Sequence, residues 1–417
     1  MIHILDKHSC CGCEACVQTC PKHCISFEED EEGFRYPEVD GTSCIDCGLC
    51  EKVCPVLHQA ESITPLHVYA AKNKCEEELM ASSSGGLFIL IAKKIISEGG
   101  VVFGAKFNEK WEVEHAYAET EEGLKAFMGS KYVQSRIGNC YKEAKTFLLS
   151  RRKVLFTGTS CQIAGLKNFL GKDYDNLLTV DVICHGVPSP KVWRKYLEEM
   201  KDKARRAKNS VSFHSILSSR KAMPSDGEGW SIEGISFRDK RLGWKKYSFV
   251  LTLAESSDEG KQNTVSFSRM HREDSYMRLF LSDLILRPSC YQCPAKGGKS
   301  QSDLTIADFW GIEKILPDFY DERGVGLFIV NTSIGQGMLE SVTDRLYLVE
   351  TAQTDSVANI SSWYSSVVEP AKREKFWHLF NQGLPVCRIA RRLVPPLSFL
   401  ARLKMRVKRK LKKWMKK

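Results

Sequence analysis

Short apolar runs separated by glycine and polar turns begin near residue 66 and predict alternating strands and helices. Residues 68–71 and 101–104 form two such runs, each short enough for a strand. Between them, a longer apolar run follows residues 82–86 and ends at Gly99, which is the ending expected of a helix. This pattern is typical of an α/β domain.

A strand, a helix and a second strand follow in the next part of the chain. Residues 154–156 predict a buried strand, and residues 177–183 predict another. The helix between them starts near Cys161 and ends by Gly171. This order implies parallel pairing, which puts the carboxyl ends of both strands on one edge of a sheet.

From about residue 203, apolar and polar residues alternate, as in half-exposed antiparallel strands. The alternating segments are 210–213, 232–237, 247–253 and 264–267. A helix is predicted over 275–286 and a strand over 304–307.

The chain divides into four predicted parts. A module over 1–60 precedes an α/β domain over 66–200, and a C-terminal domain over 203–385 contains the antiparallel strands. Residues 388–417 form a tail. The predicted fold class is therefore multidomain, an α+β module followed by mixed α/β domains.

Composition is that of an ordinary soluble globular protein, with 43% hydrophobic and 27% charged residues. No apolar run approaches the roughly 20 residues that span a bilayer, and no signal peptide is evident. Many of the 17 cysteines have a spacing that requires free thiolates, which indicates a reducing compartment. We therefore expect a cytoplasmic protein.

Positive charge is concentrated in the tail. The chain carries +10, and residues 388–417 hold 13 Lys and Arg and no acidic residue. Apolar residues of the tail recur at three- and four-residue steps, at Leu397, Leu400, Leu403, Val407, Leu411 and Trp414. This pattern predicts a basic amphipathic helix on the inner face of an anionic membrane. A solubilising tail and a docking helix for an acidic partner are the alternatives, whereas nucleic acid is not expected, because no exposed stacking aromatics accompany the charge elsewhere.

Two copies of one cysteine pattern occupy residues 10–21 and 44–55. Each has three cysteines at x2 spacing, a fourth after three residues, and a proline after the fourth. In bacterial two-cluster ferredoxins, the fourth cysteine of each copy binds the other copy's cluster. The predicted ligands are Cys10, Cys13, Cys16 and Cys54 for one 4Fe-4S cluster, and Cys20, Cys44, Cys47 and Cys50 for the second. Zinc is the alternative, but it explains neither the third cysteine nor the proline of each copy.

Serine, threonine and glycine turns precede two of the predicted helices. Residues 82–86 lead into the first helix, and Thr157, Gly158 and Thr159 lead toward the second. A helix N-terminus offers free N–H groups and a favourable dipole to an anion. An ordinary serine N-cap is the alternative for the first turn. Two such turns in one α/β unit favour a dinucleotide-binding cradle.

Four further cysteines are candidates for a third cluster site. Cys161 begins a predicted helix, whose dipole is expected to lower the thiol pKa, and Cys184 follows the neighbouring strand. Cys290 and Cys293 form a CxxC pair followed by proline. By spacing alone, a third cluster and inert buried cysteines are equally favoured. The other cysteines fit no ligand pattern and are interpreted as structural or incidental: Cys11, Cys24, Cys75, Cys140 and Cys387.

Three more side chains are candidate site residues. His185, beside Cys184, is a candidate proton donor, with a turn residue as the alternative. Lys131 and Tyr132 are candidates for contact with a phosphate or a flavin, with a solvated loop as the alternative.

Several short motifs, in this order, resemble the coenzyme F420 hydrogenase/dehydrogenase beta subunits over most of residues 1–340. The motifs are Ser84-Gly85-Gly86, KYVQS at 131–135, GTSCQ at 158–162, Cys184-His185-Gly186, Cys290-x2-Cys293 and SDLTIADFWG at 302–311. Ser160 and Ala307 stand where many relatives carry proline and glycine.

The resemblance implies an iron–sulfur flavoprotein oxidoreductase that binds FAD. Such a protein moves electrons between 4Fe-4S clusters and a hydride carrier such as coenzyme F420, or an organic substrate. It implies a flavin-proximal third 4Fe-4S cluster on Cys161, Cys184, Cys290 and Cys293. The positions that resemble flavin contacts are Ser84, Gly85, Gly86, Lys131, Tyr132, Thr157, Gly158 and Thr159. A ferredoxin or a deazaflavin-type carrier is the implied partner.

A rival interpretation makes the chain an electron-transfer subunit without a substrate site of its own, docked to a partner enzyme or a membrane surface. A substrate-sized pocket over the flavin favours the enzyme, and a flavin face closed by protein favours the relay. The sequence leaves the substrate, the direction of electron flow and an oligomeric assembly open.

Overall fold

The computed structural model describes residues 1–208, 230–256, 262–352 and 361–396. The strands in these ranges are β1 (Ile25–Glu29), β2 (Arg35–Val39), β3 (His67–Asn73), β4 (Val101–Phe107), β5 (Val113–Ala118), β6 (Val154–Thr159), β7 (Leu177–Val182), β8 (Ser231–Asp239), β9 (Ser248–Ser256), β10 (Gln262–Met270), β11 (Leu304–Asp308), β12 (Gly326–Val330) and β13 (Leu346–Glu350).

The α-helices of the same ranges flank these strands. They are α1 (Ala15–Thr19), α2 (Leu49–Lys52), α3 (Glu76–Ala81), α4 (Leu87–Ser97), α5 (Glu121–Leu124), α6 (Cys140–Leu149), α7 (Ser160–Leu170), α8 (Pro190–Lys208), α9 (Ser275–Leu281), α10 (Ile312–Ile315), α11 (Ser333–Val342), α12 (Ser361–Tyr364), α13 (Arg373–Asn381) and α14 (Val386–Leu393).

An N-terminal module contains one short helix in each cysteine run. The antiparallel pair β1–β2 connects the two runs, with Ile25 opposite Val39. Helices α1 and α2 each carry the third cysteine of a run. Each helix begins after a residue in the left-handed region, Glu14 in the first run and Gly48 in the second. The two runs therefore have the same backbone shape.

Eight strands form one mixed sheet, in the order β13-β3-β12-β11-β7-β6-β4-β5. The pairs β4–β6, β6–β7 and β7–β11 are parallel, and the outer pairs are antiparallel. Helix α7 connects β6 to β7 and ends at Gly171, which has a left-handed backbone. The predicted strand–helix–strand unit is therefore confirmed. Apolar side chains of the central strands, including Phe103, Phe156 and Val180, are almost completely buried.

A second sheet of three antiparallel strands, β10-β9-β8, lies between β7 and β11 in the sequence. Phe237 of β8 and Phe249 of β9 pack against Trp193 of α8, and all three side chains are fully buried. The alternating pattern of these segments predicted their antiparallel pairing correctly. The strand predicted at 210–213 lies outside the described residues.

The domain boundary predicted at 200–203 cuts through one sheet. Strands β3 to β7 come from the predicted 66–200 domain, and β11 to β13, from the predicted 203–385 domain, pair with them. Periodicity reports the local alternation of a strand but not its partner, so the inserted sheet looked like the start of a new domain.

The helix predicted over 275–286 is shorter than expected. It ends at Leu281, because Asp283 has a left-handed backbone with φ of 59° and turns the chain. Leu284, Ile285 and Leu286 continue into the core as irregular chain.

The start of the predicted tail belongs to the folded body. Helix α14 buries Ile389 and Ala390 completely. The predicted amphipathic residues from Leu397 to Trp414 lie outside the described residues. Among the residues that the structure describes, no helix is both long and apolar enough to cross a bilayer.

Candidate functional site

The first cysteine site consists of Cys10, Cys13, Cys16 and Cys54, on the inner side of the N-terminal module. Cys10, Cys13 and Cys16 are buried, and Cys54 is half-buried. Burial raises the pKa of Cys16, and negative charge on Cys10 and Cys54 raises it further. The fourth cysteine of one run thus lies beside the first three of the other, as the two-cluster spacing predicts.

The second cysteine site consists of Cys20, Cys44, Cys47 and Cys50, which surround a small cavity near the surface. Cys47 is exposed and Cys44 is half-buried. Cys24 lines the same cavity, and its Sγ lies 3.4 Å from the Sγ of Cys20. A cysteine without a ligand spacing therefore stands at the edge of this site.

The third cysteine site consists of Cys161, Cys184, Cys290 and Cys293, which line one cavity. Cys161 lies in the first turn of α7, and Cys184 follows β7. Cys290 and Cys293 come from a short 3-10 helix, Pro288–Gln292, and the residue after it. The N–H of Val187 donates to the Sγ of Cys290 over 3.4 Å. The four candidates, far apart in sequence, are thus brought together.

Cys11 is a fifth cysteine of that cavity. It lies between Cys10 and Cys13 in the sequence, and its thiol is close enough to those of Cys13 and Cys161 to shift its pKa. Cys11 therefore connects the first and third cysteine sites directly. The sequence offered no signal for this position, because its contact with Cys161 depends on the docking of the N-terminal module.

The lowered pKa predicted for Cys161 is wrong. The contact with Cys11 raises the pKa of the Cys161 thiol well above its usual value, and burial raises it further. The dipole of α7 does not offset these effects.

Zinc and a 4Fe-4S cluster require different distances between the thiolates that bind them. Within the described ranges, no group of three or more His, Cys, Asp or Glu side chains could hold a single metal. Zinc would bring its thiolates within about 4 Å of one another, since each Zn–S bond is about 2.3 Å. A 4Fe-4S cluster holds them farther apart, because each thiolate binds a different iron.

A large cavity of about 520 Å³ adjoins the third cysteine site. Residues that line both cavities include Thr159, Cys184, His185, Gly186 and Val187. The volume lies within the range of about 300 to 1,000 Å³ that is usual for ligand pockets. The predicted flavin-contact positions all line it: Ser84, Gly85, Gly86, Lys131, Tyr132, Thr157, Gly158 and Thr159.

Several of these side chains already have partners in the protein. The Ser84 hydroxyl donates to the carbonyl of Val325 over 3.0 Å, and the Thr157 hydroxyl donates to that of Phe103 over 2.8 Å. A Cβ on Gly85 would lie 2.4 Å from the backbone nitrogen of Gly326. Glycine at position 85 is therefore required by the close approach of β12, whether or not a phosphate binds there.

Lys131 and Tyr132 belong to the wall of the large cavity. The Lys131 Nζ donates to the carbonyls of Phe127, Met128 and Gly129 over 3.1 to 3.3 Å, and burial lowers its pKa to about 7. The Tyr132 ring stacks on Phe280 with centroids 4.7 Å apart. Both residues are thus held in place, within a half-buried loop.

His185 lies on the wall that the two cavities share. Its Nε2 is 2.6 Å from Oδ1 of Asp283, and its ring packs edge-on against Phe280. The carboxylate orients the imidazole, which is an arrangement that a proton donor needs.

Two further residues of the large cavity, His115 and Arg238, belong to none of the sequence motifs described above. His115 is buried, its Nε2 contacts the carbonyl of Thr157 over 3.0 Å, and its Nδ1 has no partner. Arg238 pairs with Asp308 through Nη1, while its Nε and Nη2 have no partner. Burial lowers the pKa of His115 to about 4, so its ring is neutral. The cavity wall therefore contains unsatisfied polar atoms suited to a polar ligand.

Comparison with known proteins gives two family matches, one over the N-terminal module and one over a later part of the chain. Residues 9–57 match the 4Fe-4S dicluster domain. Residues 151–356 match the family described as the C terminus of the coenzyme F420 hydrogenase/dehydrogenase beta subunit. The chain thus contains the C-terminal domain of this beta-subunit family over residues 151–356. The family predicted from the short motifs is thus confirmed, and so is the pair of N-terminal 4Fe-4S clusters at the level of the domain.

Individual relatives in this family match part of the chain. An uncharacterized protein of Methanocaldococcus jannaschii is 27% identical over 207 residues, 42% of this chain and 56% of its own length. The F subunit of the F420H2 dehydrogenase of Methanosarcina mazei is 24% identical over 172 residues, 38% of this chain and 48% of its own length. The chain thus spans about half the length of these curated relatives.

One solved structure shows a weaker likeness. A chain of the F420-reducing [NiFe] hydrogenase complex from Methanosarcina barkeri aligns over 70% of this chain and 83% of its own, with 15% identity and a TM-score of 0.43.

Proposed function

We propose that this chain is an iron–sulfur flavoprotein oxidoreductase. It holds two 4Fe-4S clusters at the first and second cysteine sites, a third at the third cysteine site, and FAD in the large cavity. It moves electrons between these groups and a hydride carrier, such as a deazaflavin, or an organic substrate. The observation that carries the proposal is the wall of Cys184, His185, Gly186 and Val187, which the third cysteine site and the large cavity share.

The residues of the large cavity fit a flavin. A flavin converts between the single electrons of clusters and the two electrons of a hydride. Its ring has a polar edge, and the unpartnered Nε and Nη2 of Arg238 supply donors for it. The Nε2 of neutral His115 donates to the Thr157 carbonyl, so its Nδ1 supplies an acceptor. Tyr132 and Phe280 supply an aromatic wall. The glycine at 158 leaves the end of β6 open to the cavity.

The third cysteine site fits a 4Fe-4S cluster because of its burial and the charge beside it. Its thiols are half-buried, and their pKa values are raised chiefly by burial at Cys184, Cys290 and Cys293. Without metal these thiols stay protonated, and binding to iron releases the protons. The Lys296 ammonium, which donates to the Cys184 carbonyl over 2.6 Å, adds positive charge beside the thiolates.

The test is the cofactor content of anaerobically purified protein. Iron, acid-labile sulfide and flavin are measured on one sample. About twelve irons and one FAD per chain are expected, since each of three clusters holds four irons. About eight irons without flavin would contradict the proposal and leave only the dicluster domain.

Two matched substitutions locate the groups. Cys184→Ser should reduce the content by about four irons, whereas Cys75→Ser, at an exposed cysteine outside the three sites, should not. Lys131→Ala should weaken flavin binding about tenfold, whereas Lys110→Ala, at an exposed loop position, should not. Equal effects of target and control would contradict the assignment.

One observation favours the relay without its own substrate site as a second candidate. The exposed Cys47 lies beside the exposed apolar side chains Ile45 and Leu49, which suit a protein partner. The relative from Methanosarcina mazei is itself one subunit of a dehydrogenase. If the chain reduces a free deazaflavin only after a partner protein is added, the relay is the correct function.

A further inference from the structure

Arg287 has one of the most deeply buried charges in the protein. Its side chain is 1% exposed. The Nε donates to the carbonyl of Cys10 over 2.7 Å, and Nη2 donates to the carbonyl of Arg35 over 2.9 Å. The Nη1 donates to the side-chain oxygen of Gln134 over 3.1 Å. The guanidinium is therefore fixed in one position.

This buried cation has no carboxylate partner among the described residues. Its acceptors are two carbonyls, one amide and the Sγ of Cys10, which lies 3.4 Å from Nη2. Other buried arginines differ, because Arg373 binds Glu32 and Arg238 binds Asp308. An unpaired buried charge is strongly unfavourable, and buried Arg is rarely found without a partner. The rings of Tyr36 and Phe34 also face the guanidinium, with centroids 4.3 and 5.5 Å from its carbon, but they carry no full charge. The negative group that suits Arg287 is therefore a thiolate at Cys10 and whatever that thiolate binds.

The backbone of Arg287 belongs to the third cysteine site. Its N–H donates to the carbonyl of Val187, and its carbonyl accepts from the N–H of Cys290. The side chain extends from there to Cys10, so the residue spans the first and third cysteine sites. Any cluster at the first site would face the guanidinium through Cys10.

We propose that Arg287 is the counter-charge of the 4Fe-4S cluster at the first cysteine site, and that it makes this cluster easier to reduce than the one at the second site. On one-electron reduction by a reduced cluster at the second site, a cluster held at the first site would gain one negative charge, and no bond would form or break. A fixed cation in a buried environment stabilises that added charge.

Met1 and Lys22 line the second cysteine site, but Lys22 is exposed and the Met1 ammonium pairs with Asp46 and Glu51. Among the described contacts, no charged side chain donates to a sulfur of the second cysteine site. Its sulfurs accept from backbone N–H groups, Ile2 to Cys50 over 3.3 Å and Asp46 to Cys44 over 3.4 Å. These are dipoles rather than full charges, and Cys47 is open to water. An electron that enters at the exposed second site therefore favours the first site, next to Cys11 and the third site.

The inference rests on the proposed function only through the cluster at the first site. Flavin and third-site iron are measured on the same samples, so a failure of either leaves the result for Arg287 interpretable.

The test is a redox titration of the full chain, with dithionite as reductant and electron paramagnetic resonance as readout. Repeating it in Cys47→Ser, which lacks one ligand of the second site, assigns the signals. In Arg287→Gln, the ratio of reduced to oxidised first cluster at the wild-type midpoint should fall about tenfold, a shift of about 59 mV for a one-electron couple. Arg287→Lys keeps the charge and should stay within about threefold of wild type.

The control is Lys52→Gln, which removes an exposed charge beside the second site. Solvent and salt screen that charge, so neither midpoint should change. The proposal is overturned if Arg287→Gln leaves the first midpoint unchanged, if both clusters shift equally, or if the Lys and Gln variants shift alike. If Arg287→Gln does not load iron, Arg287→Lys decides, and a tenfold change in that variant overturns the proposal.

Discussion

The two cysteine runs share one spacing but have opposite surroundings, as equivalent positions show. Position 12 in the first run is glycine, because a Cβ there would lie 2.7 Å from the Gln134 side chain and 2.8 Å from Arg287. The equivalent Asp46 is in the second run, where the side chain faces water, and it adopts the same left-handed backbone. The docked run thus requires glycine where the free run does not.

The second left-handed position of each run shows the opposite pattern, with glycine in the second run and a larger residue in the first. Gly48 supplies the left-handed residue of the second run without strain, whereas Glu14 does so in the first. The Glu14 carboxylate accepts the N–H of Gly138 over 2.7 Å, so a contact with the body offsets the unfavourable conformation. Two runs with the same cysteine spacing therefore differ at their other residues, because contacts outside the module decide which residue is suitable there.

The largest effect is expected where the first run touches α7. A Cβ on Gly165 would lie 2.9 Å from the Cβ of Cys13 and 3.1 Å from the Tyr141 hydroxyl. Gly165→Val should lower the free energy of unfolding by about 3 kcal/mol through overpacking, and first-site iron should be lost while second-site iron stays. Urea unfolding and iron content measure both.

Gly337→Val is the matched control, since no atom lies within 4 Å of a Cβ at that helical position. It should change stability by no more than about 0.5 kcal/mol. Equal losses from both sites in Gly165→Val would contradict the view that only the first run is docked.

Exchanging residues between the runs tests the comparison directly. Gly12→Asp gives the first run the residue of the second and should cost about 2 kcal/mol, because Arg287 is held by its hydrogen bonds and cannot move away. Asp46→Gly makes the reverse change and should stay within about 0.5 kcal/mol, as at most surface positions. Thermal unfolding of the two variants measures the two losses of stability. Similar losses would contradict the view that the two runs have different surroundings.

Metal removal should proceed in two phases. The exposed Cys47 opens the second site to a chelator, whereas access to the first site requires the module to separate from the body. We expect about four irons per chain to leave at least about tenfold faster than the next four, because local opening at a surface needs less free energy than opening at a packed interface. Iron release followed by absorbance tests this, and a single phase would contradict it.

The smallest expected effect is a pH dependence of stability caused by Lys131, in the wall of the large cavity. Because burial holds the pKa of Lys131 at about 7, below its ordinary value of about 10.4, the folded chain binds fewer protons than the unfolded chain between these values. The stability of wild type relative to Lys131→Met should therefore rise between pH 7 and pH 10, by about 1 kcal/mol after allowance for partial exposure. Urea midpoints at pH 6, 8 and 10 measure this. Lys110→Met, at an exposed position, should show no such trend.

Local pattern predicted much of the fold and part of the site. Helix α7 and strands β6 and β7 followed from periodicity and the ending at Gly171, and the eight N-terminal cysteines followed from spacing. The pairing of β11 with β7 and the roles suggested for Cys11 and Arg287 could not be predicted. Each depends on contacts between residues more than 100 positions apart, such as Arg287 with Cys10. No local pattern records which distant surface a strand or a buried charge will meet.

The close packing of Cys13 against Gly165 also limits how the N-terminal domain of such a protein can be replaced by another ferredoxin. A dicluster domain at the start of a chain invites replacement by another ferredoxin in a gene fusion. Here a transplanted domain would have to bring glycine at position 12, because a Cβ there would lie within 3 Å of the Gln134 and Arg287 side chains. Grafts limited to the exposed second run, around Ile45 to Leu49, avoid that interface, and a designer could use them to change the redox partner without rebuilding the interior.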